Sequence, residues 1–299
     1  MATRFKTIAL MGKLQDARVT DTVVAISAHL LAQGAQVLIG ESERIDGLPT
    51  AVEREPDAAL AGRAQLIIAI GGDGSMLHAA RQAALAGIPL LGVNRGRLGF
   101  LADMPPSDRH ESLDRVLAGE FESDERLLLK AEIVADGAIR DCGLALNDVV
   151  VKRHDTGRML EYRSYVDGRF VNQHGGDGFI VATPTGSTAY ALSCGGPIVA
   201  PFLDAIVLAP ICPHTLSDRP IVIPGDSMTE VRVGDDPADR AEVSCDGEVA
   251  GTIDAGDTLR VCVAPQRLKL IHPTGYDYYE ILRSKLHWGR SNRKQSTSG

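Results

Sequence analysis

The stretch Leu66-Ile67-Ile68-Ala69-Ile70-Gly71-Gly72-Asp73-Gly74 opens as an unbroken apolar run and closes in three glycines around one aspartate. An apolar run of this length without alternation predicts a strand buried on both faces, as in a parallel sheet. A helical segment is predicted from about Ser75 to Ala86, and a further strand from Ile88 to Val93. On the amino-terminal side, Thr7–Leu10 and Val37–Ile39 read as strands. Between them Val19, Val23, Ile26 and Leu30 recur at helical spacing, with Gly34 as the stop. Strand and helix alternating in this way predict a mostly parallel sheet covered by helices. Pro105 and Pro106 then break the chain. Ser107 is placed to cap one more helix with Leu113, Val116 and Leu117 on its apolar side.

From about Glu125 the period changes to that of strands. Apolar β-rich runs are predicted at Leu127–Val134, Leu144–Val151, Leu160–Val166, Phe179–Ala182, Ile206–Leu208, Ile221–Ile223, Thr229–Val233, Ala241–Ser244, Thr258–Val263 and Leu268–Ile271. Asp136-Gly137, Asp167-Gly168 and Asp246-Gly247 separate such runs, and Asp-Gly supplies the positive φ of tight hairpins. The expectation is an all-β sandwich. Tyr278–His287 reads as a short helix, and the polar, basic stretch Gly289–Gly299 as disordered.

The chain has 299 residues, 44% hydrophobic and 23% charged, with a formal charge of −8. Its length suggests two domains at about 150 residues each. An acidic chain has no bulk electrostatic reason to bind nucleic acid or an anionic membrane, so neither is expected as a partner. Six Phe, six Tyr and one Trp are too few for an aromatic nucleic-acid platform. The five cysteines form no CxxC pair and do not read as a disulfide framework or a zinc site; most read as small buried hydrophobes. No apolar stretch reaches the ~18 residues of a membrane span, and Met1–Gly12 lacks a signal-peptide pattern. A cytoplasmic protein is expected.

Three segments carry chemistry. The first is Gly71–Gly74, at the carboxyl end of a predicted strand and before a helix, where open α/β sheets bind ligands. The glycines admit close backbone approach and the helix start favours phosphate, while Asp73 suits a metal or a ligand hydroxyl. A tight turn with a capping Asp is the plainer alternative. The chain has neither GxxxxGK[ST] nor GxGxxG. The second is Gly175-Gly-Asp-Gly-Phe-Ile-Val-Ala-Thr-Pro-Thr-Gly-Ser-Thr-Ala-Tyr-Ala-Leu-Ser-Cys-Gly-Gly-Pro197, dense in hydroxyls suited to nucleotide and ribose. Its plainer alternative is a loop capping a helix that starts near Thr188. The third is Asn147-Asp148 inside the apolar run Leu144–Val151, a donor and acceptor set suited to vicinal ribose hydroxyls, or else a bulge or turn. His78 reads as a helix-surface residue, His174 and His214 as loop histidines, and His272 as the close of the last strand.

Together these segments resemble the NAD kinase family. The family's GGDG motif matches Gly71–Gly74, its Asn-Glu/Asp element resembles Asn147-Asp148, and its DGxxxxTPTGSTAY segment matches Asp177–Tyr190. Gly195–Pro197, Gly96–Leu101, Pro210–Leu216 and Ser244–Gly247 add support. GGDG is shared with lipid kinases and phosphofructokinases, whereas TPTGSTAY is highly specific. The resemblance implies an amino-terminal Rossmann-like α/β domain (1–122), a β-sandwich domain (123–272), and a carboxyl-terminal segment (273–299) packing on the first. It implies phosphoryl transfer from ATP to the 2′-hydroxyl of the adenosine ribose of NAD, with a divalent metal, expected to be Mg2+, and no protein metal ligand assigned. Asp73 would accept the proton, beside Gly74. Asn147 and Asp148 would hold ribose, and Asp177 would face the nicotinamide end. Thr188, Ala189, Tyr190 and Ser193 would line the adenine and ribose site. A homodimer or homotetramer is implied.

Departures from the pattern concern Ser75, where Asn or Thr is common, and Asp148, one methylene shorter than Glu. Gly175 stands where some relatives carry arginine. Arg158 is a candidate basic contact from the Asn147-Asp148 side, with a solvated loop arginine as the plainer alternative. Two other readings stay open: a lipid-alcohol kinase, which leaves Asp177–Tyr190 unexplained, and a dinucleotide sensor without chemistry, against which the intact Asp73 argues.

Overall fold

The computed structural model describes residues 4–14, 16–94, 99–102, 104, 109–153, 159–234, 236 and 239–288. The chain divides into two compact units. The first draws its described residues from Met1–Ala79, Ile88–Ser123 and Leu270–Gly299, the second from Ala80–Gly87 and Asp124–Lys269.

The first unit contains β1 (Thr7–Gly12), α1 (Ala17–Ala32), β2 (Gln36–Gly40), β3 (Glu53–Glu55), α2 (Leu60–Arg63) and β4 (Leu66–Gly71). α3 (Asp73–Ala86), whose first half belongs here, β5 (Leu90–Asn94) and α4 (Arg109–Ala118) follow. Its strands run in the order β3-β2-β1-β4-β5, all parallel. Every residue of β4 is buried, which is why the sequence there is apolar without alternation. The order reverses between β1 and β4, and α3 starts directly off the carboxyl end of β4. That is the switch point at which open α/β sheets take ligands. Val19, Val23, Ile26 and Leu30 of α1 pack with Leu113, Val116 and Leu117 of α4 in one apolar core.

The second unit is built from β6 (Phe121–Ala135), β7 (Ala138–Ala145), β8 (Asp148–Arg153), β9 (Leu160–Val166), β10 (Arg169–Gly176), β11 (Gly178–Ala182) and a short α5 (Tyr190–Ser193). β12 (Ala205–Ile211), β13 (Ile221–Pro224), β14 (Thr229–Val233), β15 (Arg240–Cys245), β16 (Glu248–Asp254) and β17 (Thr258–Pro273) complete it, save that Phe121–Ser123 of β6 and Leu270–Pro273 of β17 belong to the first unit. One sheet has the order β13-β12-β11-β8-β15-β16. Opposite it, β9 pairs with β10 and β14, β14 with β17, and β6 with β7. Val149, Val151, Phe179 and Val243 of the first sheet meet Tyr162, Val231, Leu259 and Val261 of the second in a shared core, the section of a sandwich. The three Asp-Gly pairs turn hairpins with positive φ at both residues, for instance 49° at Asp136 and 78° at Gly137. β17 ends by pairing Leu270 and Ile271 in parallel with Leu90 and Leu91 of β5, and α6 (Tyr278–Leu286) follows, capped by Asp277.

The structure corrects several expectations. α3 begins at Asp73, not Ser75. The run Leu144–Val151 is broken at Leu146-Asn147 into β7 and β8. Thr258–Val263 and Leu268–Ile271 are one strand, β17. Strands β3, β10 and β16 were not expected from the sequence, and all three end a sheet order. An edge strand is held by its backbone ladder on one side only, and here most side chains of these strands remain at least partly accessible. Of the five free cysteines only Cys245 is buried, and burial pushes its thiol up to about 12; Cys212 is exposed. His174 is a buried strand residue of β10, not a loop histidine. Ser107 and the stretch after Gly289 lie outside the described residues. Among the described residues no helix is long and apolar enough to cross a membrane.

Candidate functional site

Asp73 is the first residue of α3, and its acidic side chain suits the positive end of the helix. Its Oδ2 accepts from the Phe100 N–H and its Oδ1 from the Leu101 N–H, each at 3.2 Å. A Cβ at Gly99 would overlap Asp73 Oδ1, so only glycine lets this turn come up against the carboxylate. The turn is itself tied to β5. Gly99 N donates to Ala102 O at 2.8 Å, and Asn94 Nδ2 donates to the same oxygen at 3.2 Å. The result is a half-exposed carboxylate with a fixed direction, able to accept a proton from a hydroxyl placed before it. Gly74 is exposed in the same first turn. Of the supporting block Gly96–Leu101, the residues from Gly99 on act on Asp73, and 96–98 lie outside the described residues.

In the second unit, Asn147 occupies the bend between β7 and β8, and Asp148 opens β8. The bend is organised by Asp246, a carboxylate that the sequence marked as a hairpin residue within the supporting block Ser244–Gly247 and to which it gave no role. Its Oδ1 accepts from Asn147 N at 2.7 Å and Asp148 N at 3.4 Å, and its Oδ2 from Leu146 N at 2.9 Å. Three successive N–H groups converging on one carboxylate form an anion nest. Arg81 Nη1 adds a fourth bond to Asp246 at 3.0 Å and Nη2 pairs with Glu248 at 2.6 Å. Burial pushes the Asp246 carboxyl up, while these N–H groups and the guanidinium pull it back.

The hydroxyl-rich loop closes the other side of the bend. Thr183 N donates to Asn147 O at 2.9 Å and Thr183 Oγ1 to Leu146 O at 2.5 Å. A Cβ at Gly186 would overlap the Asn147 carbonyl, so the loop and the bend touch backbone to backbone. Neither the 3-10 turn Gly186–Thr188 nor α5 receives a side-chain cap, contrary to the capping alternative. Thr183 and Ser187 are fully buried and spent on the loop itself, Ser187 Oγ donating to Pro184 O at 2.6 Å and accepting from Val199 N at 2.9 Å. Beneath the loop, buried Arg126 holds Asp124 through two 2.7 Å bonds and reaches Thr185 Oγ1 at 3.4 Å. The sequence offered no motif for Arg126 or Arg81, since each is one arginine in an otherwise ordinary helix or strand.

The polar groups left accessible are those at the end of the loop. Thr188 and Ala189 are half-buried, and Tyr190 and Ser193 are exposed. The Tyr190 N–H donates to the Asp148 carboxyl. Asp148 is buried, and its carboxyl is pushed up to about 7, first by desolvation and then by the neighbouring Asp246. Burial also raises the Tyr190 phenol, with Cys194, Cys212 and Asp177 adding to it and Lys152 opposing. Asp177 therefore lies within electrostatic reach of Tyr190, and its own carboxylate pairs with Arg153 at 3.4 Å. Gly175, in β10, is half-buried against the Met159 side chain. Arg158 lies outside the described residues. Thus Asn147, Asp148, Tyr190 and Asp177 come together within the second unit, while Asp73 and Gly74 are placed in the first. Among the described residues no group of three or more His, Cys, Asp or Glu could hold a metal ion.

Comparison with known proteins gives one answer along the chain. The family model described as ATP-NAD kinase N-terminal domain matches residues 12–121, and that of the ATP-NAD kinase C-terminal domain matches residues 146–273. The NAD kinase of Nitrosococcus oceani is 44% identical over 294 residues, covering 97% of this chain and 99% of the relative. That of Pseudomonas putida strain W619 is 45% identical over 287 residues, covering 96% and 97%. Among solved structures, yeast NADH kinase complexed with NADH superposes with a TM-score of 0.85 at 23% identity, over 97% of this chain and 89% of that one. An NAD kinase from Archaeoglobus fulgidus in complex with ATP gives 0.71 at 23% identity, over 93% and 98%. At that identity the two structures speak for the fold, which is the α/β unit followed by the β unit described above. On the strength of the family models and the sequence relatives, this chain belongs to the NAD kinase family.

Proposed function

We propose that this protein transfers the γ-phosphate of ATP to the 2′-hydroxyl of the adenosine ribose of NAD, forming ADP and NADP. The observation that carries the reading is the pinned Asp73 carboxylate at the switch point of a chain that belongs to this family over nearly its whole length. Phosphoryl transfer passes through a loose transition state, so positioning and charge neutralisation do most of the work. Asp73 orients the 2′-hydroxyl and takes its proton as the new P–O bond forms, with Gly74 beside it. Asn147 and Asp148 hold the ribose, with Arg158 as a basic contact on their side, Thr188, Ala189, Tyr190 and Ser193 line the adenine and ribose site, and Asp177 with Gly175 serves the nicotinamide end.

Mg2+ is commonly held by one or two carboxylates together with substrate phosphates, not by an all-protein cage. The donor set fits a metal carried on the phosphates: Asp73 is an accessible carboxylate at the start of α3, and among the described residues it belongs to no group of three or more His, Cys, Asp or Glu that could hold an ion. When bound, the ion would neutralise the phosphate oxygens. We place the protein in the cytoplasm, as a homodimer or homotetramer.

Purified protein incubated with ATP, Mg2+ and NAD, with product coupled to an NADP-specific dehydrogenase, tests the proposal. NADP formation is expected. NAD binding without turnover would replace it with the sensor reading, and activity confined to a lipid alcohol such as diacylglycerol with the lipid-kinase reading.

A further inference from the structure

His174 precedes Gly175 on β10 and is buried in a chain of polar groups that the proposed reaction does not use. His174 Nδ1 lies 2.9 Å from Asp218 Oδ2, and Nε2 lies 2.9 Å from Ser164 Oγ. Asn172 Nδ2 donates to the second oxygen of Asp218 at 2.6 Å. The Tyr162 ring stacks on the imidazole with centroids 4.9 Å apart, and its hydroxyl donates to Gly178 O at 2.7 Å. A cavity of about 250 Å³ opens beside the cluster, walled by Phe179, Leu208 and Ile221.

Serine, histidine and aspartate in this order match the bonding of a hydrolytic triad, but the placement does not. Ser164 lies in the middle of β9, opposite Asn172 on one side and Val231 on the other, and is 1% exposed. Its backbone neighbours serve sheet ladders, which leaves no pair of N–H groups to receive an oxyanion. What the cluster does join is two segments of chain. Asp218 sits on the segment that follows β12. Where β12 ends, Asp177 N donates to Ile211 O at 3.0 Å, and the segment then meets the end of β10, His214 N donating to Gly175 O at 2.9 Å. The contact is close enough that a Cβ at Gly176 would stand 2.8 Å from Ile211 O.

We propose that Asp218, acting through His174 and Asn172, is a positioning residue for the dinucleotide site. It clasps the segment after β12 onto β10 and so holds Gly175 and Asp177 in place. The inference rests on reading those two residues as part of the NAD site. Removing the carboxylate leaves a buried imidazole and a half-buried amide without their acceptor, which loosens the joint. Asn at 218 keeps the joint: its carbonyl still serves Asn172, its NH2 faces Nδ1, and the imidazole shifts tautomer so that Nε2–H donates to Ser164.

The test is steady-state kinetics on the folded, full-length protein, after wild type has been shown to make NADP. Failure at that first step would count against the proposed function and not against the clasp. Asp218→Ala is expected to raise KM for NAD about tenfold, with kcat and KM for ATP within about twofold. Asp218→Asn should stay within about threefold of wild type for NAD. Asn172→Ala, which removes the bond to Asp218 and the local one from Gln173 N but spares the imidazole pair, is the milder probe should Asp218→Ala not fold, with an expected rise of about threefold. The clasp is overturned if the folded alanine variants keep the wild-type KM for NAD. It is equally overturned if KM for ATP rises as much as KM for NAD, or if Asn at 218 is as damaging as Ala.

Discussion

Asp73 and Asp148 are both carboxylates, and their surroundings prepare them for different work. Asp73 is half-exposed and held by two backbone N–H groups, so its direction is fixed while one face stays open. Asp73→Asn is nearly isosteric but cannot take a proton. Turnover should fall by about 10² or more, while NAD binding stays within a few-fold. Coupled NADP formation and calorimetric NAD titration on the same preparation check this, and wild-type turnover in the variant would remove Asp73 from its role. Asp148 is buried beside Asp246, and its carboxyl sits near 7 in the folded protein against 3.8 ordinarily. The folded state therefore binds more protons than the unfolded chain between those values. The stability that the protonated Asp148 carries is complete below about pH 4 and is lost as pH rises to 7 and beyond. Asp148→Asn removes this slope. Between pH 5 and 8 the wild type should lose about 2 kcal/mol more than the variant in urea unfolding. Parallel pH profiles for the two proteins would show that Asp148 is not held protonated.

At the scale of elements, the bend between β7 and β8 shows why a motif needs a frame. Asn147 and Asp148 are presented by three consecutive N–H groups gathered on Asp246, with Arg81 of α3 behind it and Gly186 of the hydroxyl-rich loop in front. Asp246→Ala should cost about 3 kcal/mol, because several amides lose their acceptor at once and the half-buried Arg81 guanidinium is left with Glu248 alone. KM for NAD should rise with it, which separates the bend from a merely structural turn. Gly186→Ala forces the loop off the Asn147 carbonyl. Thermal unfolding should register a loss of about 1–3 kcal/mol, with a weakened NAD site. A variant as stable as wild type would mean that the loop and the bend do not press on each other as described.

At the scale of the molecule, the α/β unit is not a continuous stretch of chain. Leu270 and Ile271 at the end of β17 pair with β5, and Ile271 is fully buried in the same core as Ile68 and Val93. A chain ending at Lys269 therefore lacks a strand partner and a core residue in the first unit. Limited proteolysis should cut such a protein early within residues 7–94, and thermal unfolding should show that unit destabilised by several kcal/mol, about the cost of burying two large side chains. Undiminished protection of that region would contradict the account.

Most of this was legible in the sequence where a short-range rule applies. The apolar run Leu66–Ile70, the helical spacing of Val19 to Leu30 and the three Asp-Gly turns each report a local requirement, whether burial on both faces, one buried stripe or positive φ, and the structure places each as expected. The motif residues were legible for the same reason, since close approach and hydroxyl chemistry restrict residue types one position at a time. Edge strands β3, β10 and β16 were not legible, because a strand paired on one side needs little apolar pattern. Nor was the division of labour among the hydroxyls, in which Thr183 and Ser187 are consumed by the loop while Tyr190 and Ser193 stay accessible.

The sequence by itself determined the two kinds of period, the family and the residues with chemical capacity. The tertiary structure alone decided which of those residues are presented and which do the presenting. Asp246 lies about 100 residues from the bend it organises, and Asp218 stands 44 residues from His174. Partners so far apart leave no periodic trace in a sequence, and only the folded chain brings their charges and amides within hydrogen-bond range.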